Sequence, residues 1–209
     1  MCVRGVVDIR IRQCRRGKDA MEIKKTEEVD ATKLKADLAN HHIEGYARED
    51  PTHTHFDVPL ISQVTDNLWQ GGCQNGVNLK GYFKHIVSLY PWEQYDPGCE
   101  LDSFVQVRLY DGPIVPSTAQ LYQLARWINL CRLTGPTLVH CQAGLNRSGL
   151  LTGLALVLSG MKPEDAIALL RKNRCQQVLC NAKFETWLLS VAPTNRDTDD
   201  CKEEEVIKL

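Results

Sequence analysis

The stretch Val139-His140-Cys141-Gln142-Ala143-Gly144-Leu145-Asn146-Arg147-Ser148-Gly149 sets a thiol and a guanidinium six positions apart, with a glycine between them. Before it, Pro136-Thr137-Leu138-Val139 reads as a short buried strand. After it, Leu150 to Leu158 (LLTGLALVL) reads as a helix buried on most sides. The segment between is a turn that ends at a helix N-terminus. Backbone N–H groups there lack intrahelical acceptors, and with the positive end of the helix dipole they form a cradle for an anion. Cys141 sits at the lip of that cradle, where a helix N-terminus and a fixed cation favour the nucleophilic thiolate. Arg147 supplies the planar, two-pronged donor that matches two phosphoryl oxygens, which lysine does not reproduce. Gly144 lets the backbone come close to the anion. Ser148 is placed to hydrogen-bond the sulfur when it leaves, and His140 to order the loop.

A cysteine and an arginine six apart carry little information alone; the surrounding letters decide the reading. His140, Cys141, Gly144, Arg147 and Ser148 fit the pattern H-C-x-x-G-x-x-R-[S/T], and the chain resembles the cysteine-dependent protein tyrosine phosphatase superfamily, most closely its dual-specificity phosphatases. The resemblance implies a two-step reaction through a cysteinyl phosphate, with Gln142, Ala143, Gly144, Leu145, Asn146 and Arg147 as the phosphate-binding loop. It implies neither cofactor nor metal. It also implies a general acid on a loop about thirty residues before the nucleophile, and Asp111 lies thirty before Cys141, after the strand-like Phe104 to Leu109. Asp102 and Asp96 are the competing carboxylates. A third similar segment, Arg174 to Phe184, has Cys180 where the family has proline. It carries over Asn181 as a supporting residue that equally suits the N-cap of a last helix.

The 209 residues are 43% hydrophobic and 24% charged with a net charge of −1, enough for one sizeable core and without the basic excess of a bulk nucleic-acid binder. No apolar run approaches eighteen residues, so no membrane partner is expected. Nine cysteines, one of them needed as a thiolate, argue for a reducing compartment, with the cytoplasm as the default.

Along the chain, residues 1–20 read as a basic, disordered leader and 21–55 as an N-terminal extension with a possible amphipathic helix over Glu22 to Asn40. Residues 56–192 read as the catalytic domain and 193–209 as an acidic, disordered tail. Within the domain, Val58 to Ile61, Asn67 to Gln70 and His85 to Leu89 read as strands, and Asn78 to Phe83 as a helix. Ser117 reads as the N-cap of a helix to about Leu133, with Leu121, Leu124, Ala125, Ile128 and Leu130 facing the core. Pro163 opens a further helix, and a last one spans about Ala182 to Val191. Strands alternating with helices predict an α/β fold: a central, mostly parallel sheet flanked by helices, with the phosphate loop between a central strand and a buried helix.

Lesser features are read structurally. His41, His42, His53 and His55 lack the spacing of a closed metal site and are expected as loop histidines. Cys73, Cys175 and Cys180 are candidates for a reversible disulfide with Cys141, with buried structural thiols the simpler reading. Trp92, Tyr95 and Tyr110 are candidates to line the cleft. The uncharged loop side chains disfavour inositol lipids, and the expected substrate is a phosphoprotein bearing phosphotyrosine; pocket depth, which the sequence does not give, decides between an enzyme for phosphotyrosine only and one that takes phosphoserine and phosphothreonine as well. Asn146 before Arg147 is also a feature of the RNA 5′-triphosphatase branch, so an RNA or nucleotide phosphatase is the alternative. A non-catalytic phosphate-binding module is the third reading.

Overall fold

The computed structural model describes residues 10–11, 37–38, 40–47, 53–77, 79, 81–90 and 101–193. The expected leader (1–20), the helix over Glu22 to Asn40 and the tail (193–209) therefore fall wholly or largely outside the described residues, as do Trp92, Tyr95 and Asp96.

Among the described residues, eight strands form two sheets. The main one has the order β1-β7-β6-β8-β5-β4: β1 (Arg10–Ile11), β4 (Ile61–Thr65), β5 (Leu68–Gly71), β6 (His85–Ser88), β7 (Ser103–Gln106) and β8 (Thr137–His140). The inner four, β7, β6, β8 and β5, run parallel, and an antiparallel strand closes each edge. β8 is thus central, paired with β6 on one side and β5 on the other, and buried along its whole length. The smaller sheet is the antiparallel pair of β2 (His42–Tyr46) and β3 (His55–Pro59).

Two-residue alternation sorts the inner strands between two cores. Leu68, Val87, Val105 and Val139 join one cluster with four helices of the described residues: α1 (Thr118–Thr134), α2 (Arg147–Leu158), α3 (Pro163–Asn173) and α4 (Ala182–Leu189). Their neighbours Trp69, Ile86 and Leu138 face the other side, where Leu60, Val77, Leu79, Phe83 and Leu101 cover them. The described helices therefore pack on one face of the sheet, and turn-rich chain covers the other. α2 lies deepest, with Arg147 through Val157 all buried, which explains why its sequence shows no polar face.

Several sequence expectations are corrected here. The segment Asn78 to Phe83, read as a helix, has its described residues in a turn closed by a hydrogen bond from Tyr82 N to Leu79 O. Leu130 is 65% exposed, not a core residue; it lies two positions past Ile128, about 200° around the helix. The buried helix begins at Arg147, not Leu150, so the guanidinium belongs to its first turn. β7 ends at Gln106, leaving Val107 to Leu109 as extended chain, and α4 stops at Leu189. Ser117 does precede α1, but its side chain makes no capping hydrogen bond. Finally, β2, inside the stretch read as an extension, pairs with β3 and lays Ile43 against the helical core, which Ala47, just past its end, joins.

Candidate active site

The parallel strands end together. Gly71, His140 and Ser88 are in register at the carboxyl ends of β5, β8 and β6. Ligands bind outside such ends in open α/β sheets. The chain that continues from them, with the loop beyond β7, surrounds a cleft of about 780 Å³ lined among others by Cys73, Tyr90, Leu109, Asp111, Cys141 and Arg147. Asp102 begins at the opposite end of β7, its N–H bonded to Lys84 O, and does not line the cleft.

At the floor, Cys141 is 2% exposed and its Sγ lies 3.4 Å from Ser148 Oγ. The loop above β8 is held from outside itself at each step. Gln142 O accepts from Cys73 N (3.0 Å), Ala143 O from Arg174 Nη2 (2.9 Å), and Gly144 O from Gln70 Nε2 (2.9 Å). These bonds turn carbonyls outward to the scaffold, the arrangement that leaves amides for an anion. Gly144 has φ +73°, and a Cβ there would lie 2.4 Å from Gly71 C and 2.5 Å from Arg174 Nη2, so only glycine fits.

Arg147 is buried, donates from Nη1 to Leu109 O (3.3 Å), and stands 5.1 Å from the Tyr90 ring. Its Nε has no protein acceptor among the described residues. An unmet buried guanidinium N–H costs energy unless an anion meets it. His140 is buried, and burial lowers its pKa to about 4 against an opposing backbone hydrogen bond at Cys141. It is neutral at physiological pH and does not act as a cation toward the loop.

Asp111 is exposed at the rim. Its Oδ2 accepts from Asn146 Nδ2 (3.1 Å) and its Oδ1 from Asn181 Nδ2 (3.0 Å). Asn146 stands at the N-cap of α2 yet makes no capping bond, because its side chain is turned across the cleft. Asn181, read as either a support or a helix cap, does cap the helix: its Oδ1 accepts from Lys183 N at the start of α4 (3.1 Å), while its Nδ2 donates to Asp111 Oδ1 and to Gly112 O (2.9 Å). The chain before it passes through Leu179 at φ +61°, strained for a branched residue, which presents Cys180 and Asn181 to Asn146.

Of the lesser candidates, Tyr110 lines the cleft with Arg108 over its ring. Cys73 and Cys180 line it and Cys175 does not; none of the three is joined in a disulfide. His42 and His55 sit at opposite ends of the β2–β3 hairpin, and His42 Nδ1 bonds Asp57 Oδ1 (2.8 Å). Sequence reasoning missed Gln70, which lies buried beneath the loop, and the hairpin, which supplies one wall through His42 to Ala47. A glutamine just before Gly71-Gly72 at a strand end was the only trace of the former. The latter left one in β3, where Phe56 and Val58 alternate with His55, Asp57 and Pro59.

The site thus sets a thiol at the base of a turn, a guanidinium in the first turn of the following helix and a carboxylate across the rim around one cleft. Residues 80–193 match the family described as dual specificity phosphatase, catalytic domain, and the chain belongs to that family. It is 41% identical over 76 residues to protein tyrosine phosphatase type IVA 3 of Homo sapiens, covering 34% of this chain and 43% of that protein. It is 28% identical over 92 residues to dual specificity protein phosphatase 15 of Homo sapiens, covering 43% and 30%. The chain thus spans less than half the length of these relatives. In fold it is similar to human DUSP28 (TM-score 0.52, 16% identity, 61% of this chain and 94% of that one) and to the active form of Tk-PTP (TM-score 0.52, 22% identity, 63% and 97%).

Proposed function

We propose that this protein hydrolyses phosphate monoesters of proteins, phosphotyrosine first and phosphoserine and phosphothreonine besides, through a cysteinyl-phosphate intermediate. The observation that carries this reading is the convergence on one cleft of Cys141, the unmet Nε of Arg147 and the carboxylate of Asp111. In the first step the Cys141 thiolate attacks phosphorus, the P–O bond to the leaving group breaks, and Asp111 gives its proton to the departing oxygen. Arg147 and the loop amides bind the equatorial oxygens, whose charge they face throughout. In the second step water attacks phosphorus, its proton passes to Asp111, and the S–P bond breaks to return the thiolate, with Ser148 Oγ donating to the leaving sulfur.

The RNA triphosphatase alternative rested on Asn146, and here that side chain is taken up by the acid loop. No helix among the described residues is long and apolar enough to cross a membrane. A reaction that needs Cys141 reduced suits the reducing cytoplasm, where we place it.

Rapid-quench mixing with a radiolabelled phosphotyrosyl peptide tests the reading. Label is expected on Cys141 within the first turnover. Cys141→Ser should lower turnover by roughly 10³-fold or more while inorganic phosphate still binds, because a hydroxyl stays protonated where the thiol does not. Full turnover without label on Cys141 would reject the mechanism.

A further inference from the structure

The acid loop is held by two amides whose orientations are forced by their other partners. Asn146 Oδ1 accepts from Asn181 N (3.0 Å) and from Cys180 Sγ (3.3 Å), so its Nδ2 must be the group facing Asp111 Oδ2. Asn181 Oδ1 accepts from Lys183 N, so its Nδ2 must face Asp111 Oδ1 at 3.0 Å and Gly112 O at 2.9 Å. One donor thus comes from the phosphate loop and the other from the segment before α4, and a bond between the two asparagines joins them. Both asparagines are buried although Asp111 itself is exposed.

We infer that Asn146 and Asn181 are positioning residues for proton transfer, a paired amide latch that fixes the Asp111 carboxyl plane over the phosphate loop. This rests on the reading of Asp111 as general acid. The last torsion of an aspartate is broad and two-fold, so an exposed carboxyl on a loop samples many planes. A donor on each oxygen removes that freedom. Each oxygen keeps a second lone pair, and one of the two carries the transferable proton. Aim of this kind supplies rate by avoiding reorganisation at the moment of transfer. It acts only where a proton must be delivered, so its signature is dependence on the leaving group.

The test compares kcat/KM for phenyl phosphate, a poor leaving group, with that for p-nitrophenyl phosphate, an activated one. Both carry the same phosphoryl group, so changes in phosphate binding cancel in the ratio. Asn146→Asp and Asn181→Asp keep an acceptor for Asn181 N and Lys183 N respectively but replace the latch donor with an acceptor. Each is expected to lower the phenyl-to-nitrophenyl ratio about tenfold, a tenth or less of the 10²–10⁴-fold range typical of general acids. The uncharged Asn146→Ser and Asn181→Ser should move it the same way. In an Asp111→Asn background neither should lower the ratio further, since a residue acting through Asp111 has nothing left to aim. If Asp111→Asn lowers the ratio and the asparagine variants leave it unchanged, or lower it again on top of Asp111→Asn, the latch is rejected and the acid stands. If Asp111→Asn itself leaves the ratio unchanged, the acid assignment falls and the latch falls with it.

Discussion

The phosphate loop, residues 141–147, and the acid loop, residues 109–112, face the same cleft but are secured in different ways. Backbone carbonyls of the first are held from beneath by Gln70, Cys73 and Arg174, three residues spread over 105 positions of chain, and most of its side chains are buried. The second receives side-chain donors: Arg147 to Leu109 O, Asn146 and Asn181 to Asp111, and Asn181 to Gly112 O. A loop that must present amides to an anion needs its backbone fixed. A carboxyl that must give up and regain a proton needs only its plane set, and keeps contact with water.

Damage to the phosphate loop should therefore reach every substrate, and damage beside the acid loop should be milder or selective. Arg147→Lys removes the planar fork and the bond to Leu109 O, and is expected to lower kcat/KM by roughly 10²–10³-fold for activated and unactivated esters alike. Steady-state kinetics on both esters checks this, and a loss confined to the unactivated one would erase the distinction between the loops.

The next largest effect is on stability. Burial holds the His140 pKa at about 4, below its ordinary 6.5, so between those values the unfolded chain takes up a proton that the fold refuses. The contribution is complete above pH 6.5 and is lost as pH falls toward 4, by about 2 kcal/mol at pH 5. His85, whose pKa burial also lowers, adds to the loss with the same sign. Urea unfolding at pH 7 and pH 5 should show the decline, and His140→Asn should flatten it.

Gly144→Ala should cost about 1–3 kcal/mol from backbone strain and the blocked approach to Gly71, with activity falling alongside the melting temperature. At the other extreme, Ile114, 80% exposed just past the acid loop, should accept serine with a change under about 0.5 kcal/mol in a thermal melt.

The phosphate loop was legible in the sequence because its chemistry is local. Cys141, Gly144, Arg147 and Ser148 occupy eight consecutive positions, and an apolar strand and an apolar helix on either side fix where they sit. Asp111 was singled out because the resemblance implies an acid about thirty residues before Cys141, and the fold brings it to the same cleft. The rest depends on contacts between distant positions, which one sequence does not announce. Asn146 meets Asp111 across 35 residues, and Asn181 meets it across 70. The helix cap at Asn181 and its contact with Asp111 coexist, because an amide has two ends and each finds a partner. β2 was hidden for another reason: His42 and Glu44 are exposed and Gly45 packs on Phe56, so this strand has little of the apolar alternation that β3 shows at Phe56 and Val58. Leu130 misled because hydrophobicity alone does not say which side of a helix a residue occupies.

The oxygen that caps α4 and the nitrogen that restrains Asp111 belong to one side chain. Helix ends open and close far more often than whole domains unfold. Each opening at Lys183 frees Asn181 to turn, so fraying there and misalignment of the proton donor become one event. On warming, amide deuterium uptake at Lys183 should rise together with loss of turnover on unactivated esters, several degrees before the sheet gives way.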